Sequence, residues 1–208
     1  MPSFRIVDCT DKGITECAKA IKNGAVIVFP TDTVYGLGCD PYNASAVKRI
    51  FEIKRRDQAK PMPVLARSIH DAEKIVSLGK QGRILAEKFW PGALTIVATL
   101  SDSAISPILT AGSRTLAVRV PANKCALSLL DRCTFLVGTS ANVSEARPAR
   151  TAEEVLQSGL DGFDLLLDGG RVEGGVESTI VDANTLNVLR KGTISVDEIR
   201  SLIGAVVK

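Results

Sequence analysis

An α/β fold with a mixed sheet is predicted for this chain by three observations. Short, β-branched apolar runs alternate with amphipathic helical segments. Several of those runs stop at clusters of glycine and small polar residues, the place where open α/β sheets put a ligand crevice. Two strands near the carboxyl end flank a turn at Ala183-Asn184 that is short enough to make them an antiparallel hairpin. The 208 residues, 45% hydrophobic and 24% charged, suit one domain with a full core. No repeat, linker or low-complexity tract divides it, so residues 1–208 are expected to form a single unit.

Residues 11–23 place Ile14, Cys17, Ala18 and Ile21 on one helical face, with Gly24 just past the end. The run Ala25-Val26-Ile27-Val28-Phe29 reads as a buried strand ending at Pro30. Thr31-Asp32-Thr33-Val34-Tyr35-Gly36-Leu37-Gly38 then packs hydroxyls, a carboxylate, a phenol and two glycines into eight positions. It reads either as a strand-to-helix turn with Gly36 and Gly38 at positive φ, or as a ligand-binding turn. Dinucleotide binding is disfavoured, because Pro41 stands where a third glycine belongs, and no P-loop occurs anywhere.

A second helix from about Asn43 carries Ala46, Val47, Ile50, Phe51 and Lys54 on one face and delivers the chain into Lys54-Arg55-Arg56-Asp57-Gln58-Ala59-Lys60-Pro61. Four cations against one carboxylate read either as a solvated helix end or as a phosphate-binding loop. A strand at 62–66, a helix at 68–78 capped by Ser68, a helix at 81–90 and a strand at 93–100 follow. After a loop at 101–114, Arg119 interrupts the apolar strand 115–121, and a charge there has to be paired or face a ligand.

Helix 122–132 turns Ala126, Leu129 and Leu130 inward, and strand 135–137 runs into Gly138-Thr139-Ser140-Ala141-Asn142-Val143-Ser144, a second small polar turn able to face the first across one crevice. A capping box at Thr151 and Glu154 opens a helix to about Ser158. Strand 164–170 leads to 171–176, which reads as a mobile loop, then to strands 177–182 and 186–189 and a last helix, 199–203, capped from Ser195.

Composition narrows the chemistry. A net charge of +3 is too small to mark a nucleic-acid protein as a whole, so a basic site has to be local. Cys9, Cys17, Cys39, Cys125 and Cys133 form no C-x-x-C pair and are odd in number, which predicts reduced thiols rather than a zinc ribbon or a disulfide framework. The amino terminus lacks an apolar h-region and no run approaches a membrane span, so a cytoplasmic location is expected. The single histidine, His70, lies in the first turn of a helix and reads as a surface residue. No protein metal site and no Ser-His or Cys-His pair is therefore expected, and the chemistry falls to lysine, arginine, hydroxyls and a metal arriving with substrate.

Taken together, Pro30 to Gly38, Lys54-Arg55-Arg56, Lys60-Pro61-Met62, Val118-Arg119-Val120-Pro121, Ser140-Ala141-Asn142, Ser178-Thr179-Ile180 and Leu189-Arg190-Lys191-Gly192 resemble the YrdC-type threonylcarbamoyl-AMP synthase family, in its order and over about residues 15–205. The resemblance implies a YrdC-like twisted mixed sheet with flanking helices around an open, concave, basic cavity. It also implies a nucleotidyltransferase that converts L-threonine, bicarbonate and ATP, with Mg²⁺, into threonylcarbamoyl-AMP and pyrophosphate. That reaction is the first step of t6A modification of tRNA, with a threonylcarbamoyl transferase downstream. Carried over by position, Thr33, Arg119, Ser140 and Ser178 would contact threonine, while Arg56, Lys60, Thr115, Asn142, Thr151 and Arg190 would surround ATP. Lys54, Arg56, Ser140 and Asn142 would form the catalytic group, Lys54 sharing in charge neutralisation. The sequence departs from the family pattern at Asp32, usually glutamate, at Leu65, often histidine, and in Ser144-Glu145-Ala146-Arg147-Pro148, one residue longer, which bears on Thr151. An additional carboxyl-terminal domain found in some members is not expected in a chain ending near Lys208. Two other readings stay open: a non-catalytic RNA-binding module, and a paralogue acting on another carbamoyl or acyl adenylate.

Overall fold

The computed structural model describes residues 4–206. The chain opens with β1 (Arg5–Asp8), then α1 (Asp11–Lys22), whose inner face is Ile14, Cys17 and Ile21 and whose end turns at Gly24 with φ 87°. The fully buried β2 (Ile27–Pro30) follows. Beyond a four-residue turn comes β3 (Tyr35–Gly38), paired antiparallel to β2 with Phe29 opposite Gly36 and Pro30 opposite Tyr35.

The turn expected at 31–38 is thus a hairpin, and neither Gly36 nor Gly38 has positive φ. Glycine is needed there for closeness. A Cβ on Gly36 would lie 3.1 Å from the Phe29 ring, and one on Gly38 would lie 2.0 Å from the Val137 carbonyl oxygen.

Next come α2 (Ala44–Lys54), capped by the Asn43 side chain, β4 (Val64–Ala66), α3 (Ile69–Ile75) and β5 (Val76–Ser77). The helix expected at 68–78 therefore stops early, where β-branched Val76 joins a sheet edge and Gly79 takes φ 63° before α4 (Gly79–Phe89). The Ser68 cap is present, its hydroxyl accepting from Asp71 N at 3.1 Å, and His70 is exposed. Then β6 (Leu94–Leu100), β7 (Thr115–Arg119), α5 (Lys124–Cys133), β8 (Phe135–Val137), β9 (Thr139–Ser140), α6 (Ala152–Gln157), β10 (Leu165–Asp168), β11 (Thr179–Asp182), β12 (Val188–Arg190) and α7 (Val196–Val206) complete the chain.

Two mixed sheets result. One runs β1-β10-β2-β3-β9; the other runs β12-β11-β6-β7-β4-β8, with β5 also on β6. Parallel pairs (β1 with β10, β10 with β2, β4 with β7, β6 with β11) coexist with antiparallel ones, the β11–β12 hairpin among them. The chain steps from one sheet to the other between β8 and β9 at the single residue Gly138. The sheets meet tightly there: Val137 N donates to Cys39 O at 2.9 Å and the Val137 carbonyl lies against Gly38, while Gly138 N extends the β4–β8 pairing to Pro63 O at 2.9 Å.

Two other expectations are corrected. Residues 171–176 are tied down: Gly175 N donates to Thr33 O at 2.7 Å, Val172 N to Arg150 O at 2.9 Å, and Gly174 lies against the Thr33 backbone. Cys9 and Cys125 are joined in a disulfide, with Cα atoms 6.1 Å apart and 116 residues between them in sequence, while Cys17, Cys39 and Cys133 are free. Local spacing could not reveal that pair, because it exists only where the chain leaving β1 meets the first turn of α5. No helix among the described residues is long and apolar enough to cross a membrane.

Candidate active site

A cavity of about 500 Å³ lies at the junction of the sheets, lined from one by Thr31, Thr33, Gly36 and Ser140 and from the other by Leu65, Thr95, Ala117, Arg119 and Ser178. The hairpin puts both polar turns on one wall, since β9 adds to β3 with Ser140 opposite Gly36.

At one end sits Arg119, 5% exposed. Its Nη2 lies 2.7 Å from Asp32 Oδ1, close but not aligned as a hydrogen bond, while Nε donates to Gly92 O at 2.8 Å and Nη1 to Thr33 Oγ1 at 3.1 Å. This meets the requirement that a charge within β7 be paired. Thr33 Oγ1 is 3.0 Å from Thr31 Oγ1, and Thr31 in turn donates to Val34 O at 2.7 Å, so a hydroxyl chain runs from the arginine into the turn. Across the cavity Ser178 Oγ pairs with Thr95 Oγ1 at 2.8 Å. Arg190 holds Ser178 O at 3.0 Å and Ser178 Oγ at 3.2 Å, and its Nη1 pairs with Glu177 at 2.8 Å.

The other end carries cations whose partners are amide oxygens rather than carboxylates. Lys54, on the inner face of α2 and 1% exposed, donates from Nζ to Ser140 O, to Asn142 O at 2.7 Å and to Asn142 Oδ1 at 3.1 Å. Burial, reinforced by Arg56 and opposed by Glu177, pushes its ammonium down to about 8. Arg56 donates from Nε to Lys60 O at 3.1 Å and from Nη2 to Pro61 O at 3.0 Å. Burial also draws its guanidinium below the ordinary value. Among the described residues neither cation has a carboxylate in ion-pair contact, Glu177 acting on both from farther off, whereas Arg119 and Arg190 are paired with Asp32 and Glu177.

Of the residues singled out in the sequence, Thr33, Lys54, Arg56, Arg119, Ser140, Asn142, Ser178 and Arg190 line this one cavity. Lys60, Thr115 and Thr151 do not. Lys60 is exposed and pairs at 3.7 Å with Glu145, which does line the cavity. Thr115 lies two residues before Ala117 on the same face of β7, past the cavity's end, its hydroxyl 2.9 Å from Ser113 Oγ. Thr151 caps α6, accepting from Glu154 N at 3.2 Å. Thr31, from the turn marked in the sequence, lines the cavity as well, with Thr95 and Glu177, which carry no role in the sequence reading; Thr95, a hydroxyl at an inward position of a β-branched strand, is the readable one of those two. No group of three or more His, Cys, Asp or Glu side chains among the described residues is arranged to hold a metal.

The sequence profile of the Sua5/YciO/YrdC family, described as telomere recombination, matches residues 19–192. The chain belongs to this family. Among its Sua5/YciO/YrdC relatives, a threonylcarbamoyl-AMP synthase of Bacillus subtilis is 36% identical over 201 residues, which are 94% of this chain and 58% of the relative. A putative threonylcarbamoyl-AMP synthase of Mycobacterium tuberculosis is 36% identical over 205 residues, covering 95% and 94% of the two chains. The crystal structure of P. abyssi Sua5 complexed with L-threonine superposes with a TM-score of 0.90 at 33% identity, over 96% of this chain and 61% of that one. The chain thus spans somewhat more than half the length of the Bacillus protein and of Sua5, and most of the Mycobacterium protein.

Proposed function

We propose that this chain is an L-threonylcarbamoyladenylate synthase, taking L-threonine, bicarbonate and MgATP to threonylcarbamoyl-AMP and pyrophosphate. The observation that carries the reading is the division of one cavity into two chemically different ends in a family whose named relatives are synthases of this kind. The Arg119, Thr33 and Ser178 end offers a fixed hydroxyl and guanidinium network suited to a small zwitterion bearing its own hydroxyl. The Lys54 and Arg56 end offers positive charge, held by amide oxygens, for a triphosphate. A volume of about 500 Å³ is within the range of small-molecule sites.

The chemistry needs no histidine. The threonine amine and bicarbonate give a carbamate, the new C–N bond replacing a C–O bond of bicarbonate whose oxygen leaves as water, and the carbamate's carboxylate oxygen attacks the α-phosphorus of ATP as the bond to pyrophosphate breaks. The protein has to hold two anions in line and stabilise the charge that passes to the leaving group, which is positioning and electrostatics. In this reading Arg56 and Arg190 meet the nucleotide with Asn142, and Lys60, Thr115 and Thr151 reach it from beyond the cavity's lining. Mg²⁺ arrives on the triphosphate. The product's mixed anhydride suits transfer to tRNA by a threonylcarbamoyl transferase, in the cytoplasm.

The test is pyrophosphate release from MgATP and bicarbonate with and without L-threonine. Release should depend on both co-substrates and fall at least about 100-fold in Arg56→Ala, as expected when a charge-stabilising donor is lost. Threonine-independent release would point to another adenylate, and salt-steep RNA binding without turnover to a binding module.

A further inference from the structure

We propose that Lys54 is a positioning residue, its ammonium clamping the Ser140–Asn142 turn in the shape that presents these side chains to the cavity. The inference rests on the synthase reading only for what the turn binds. Lys54 carries three N–H bonds, and three acceptors of that one turn take them: Ser140 O, Asn142 O and Asn142 Oδ1. A lysine in that state has no donor left for a phosphate. The clamp also fixes the Asn142 amide, because Oδ1 faces Lys54 while Nδ2 donates to Ala146 O, leaving its second N–H unspent. Contact is reciprocal, since Ser144 N donates to Lys54 O at 2.9 Å. The last residue of α2 and the segment after β9 are thus one unit, although 86 residues separate Lys54 from Ser140.

Opening the clamp would return a buried charge to water. The turn supplies only neutral amide oxygens, and the ionisable groups acting on Lys54 are Arg56, just past α2, and Glu177, just before β11. With the ammonium held down to about 8 by burial, deprotonation removes a donor and the charge from all three contacts. Opening the turn would hydrate Lys54 and return its pKa toward 10.5, so the opened state binds more protons and a pH rising above about 8 disfavours it.

The experiment pairs kinetics with hydrogen exchange on the full chain, using Lys54→Met, Asn142→Ala and the double variant. Lys54→Met is expected to lower kcat for threonine-dependent pyrophosphate release about 100-fold, the cost of a misplaced site. The double variant should be no worse than the more damaged single one, because both break the same clamp. Affinity should fall by the same factor for adenosine, AMP and ATP, whereas a direct phosphate contact would make the loss grow with each phosphate. Amides of residues 139–146 should lose protection in Lys54→Met, and in the wild type should gain it between about pH 7 and 9.5 after correction for intrinsic exchange. Unchanged protection, an affinity loss confined to ATP, or additive variants would overturn the clamp. A wild type that binds ATP and exchanges as described but releases no pyrophosphate would overturn the synthase reading and uphold the clamp. If Lys54→Met fails to fold, the wild-type pH series decides alone.

Discussion

Asp32 carries two burdens with one oxygen: its Oδ1 lies 2.7 Å from Arg119 Nη2 and accepts Ala122 N at 3.0 Å. Asp32→Asn leaves a buried guanidinium unpaired, and such losses cost about 3 kcal/mol. Urea unfolding should therefore show a lower midpoint at unchanged slope, and threonine affinity should fall with it, because Arg119 also aims the Thr33 hydroxyl. Lys54 makes a prediction of opposite sign for stability and function. Its folded pKa is lowered to about 8 from 10.5, so between those values the unfolded chain binds more protons and this residue's contribution to stability improves as pH rises. Activity, which needs the ammonium, falls over the same interval. Parallel pH series of turnover and of denaturant midpoint would separate the two: activity lost above about pH 8 without unfolding is the expected pattern. The need to pair Arg119 was legible in the sequence, since a charge within a β-branched run has few alternatives. Its partner was not, because Asp32 lies 87 residues earlier in the β2–β3 turn of the other sheet, which no local pattern reports. Lys54 was half legible: it continues the Val47, Ile50 and Phe51 face that α2 buries, yet it looks like a helix-end cation until the turn that receives it is seen.

The β2–β3 hairpin is the element on which the site depends and the one propensity described least well. Tyr-Gly-Leu-Gly is poor strand material, and it pairs because Tyr35 and Leu37 are fully buried while the glycines let other groups close over them. The Tyr35 hydroxyl fixes the strand further, donating to Gly170 O at 2.7 Å beyond β10. The two glycines should respond differently to an added methyl. Gly38→Ala puts a Cβ 2.0 Å from a backbone carbonyl that cannot retreat without parting β8 from the hairpin, so a loss of about 3 kcal/mol is expected. Gly36→Ala meets the Phe29 ring at 3.1 Å, where a few tenths of an ångström of give suffice, and about 1 kcal/mol is expected. Thermal unfolding of both variants would check the ranking. The other elements missed in the sequence, β1, β5 and β9, are short strands whose pairing comes from partners distant in sequence or across a bend.

At the scale of the molecule, the Cys9–Cys125 bond ties the amino-terminal strand to α5, whose entry residues Ala122 and Asn123 hold Asp32 Oδ1 and Thr31 O. Thiol labelling of the unreduced, denatured protein should find three cysteines and five after reduction. In the native protein, burial holds the thiol of Cys17 up at about 12 and that of Cys133 at about 11, so partly exposed Cys133 should label first. Reduction should cost about 5 kcal/mol, the chain-entropy worth of a bond closing a loop of 116 residues. The crossing at Gly138 has a different consequence. Because one residue carries the chain between sheets that meet at Gly38 and Val137 too closely to admit even a methyl group, parting the walls there would break that contact and the Val137–Cys39 hydrogen bond. Any widening of the cavity then falls to its rim, where the exposed Lys60 and Glu145 stand 3.7 Å apart between two exposed segments.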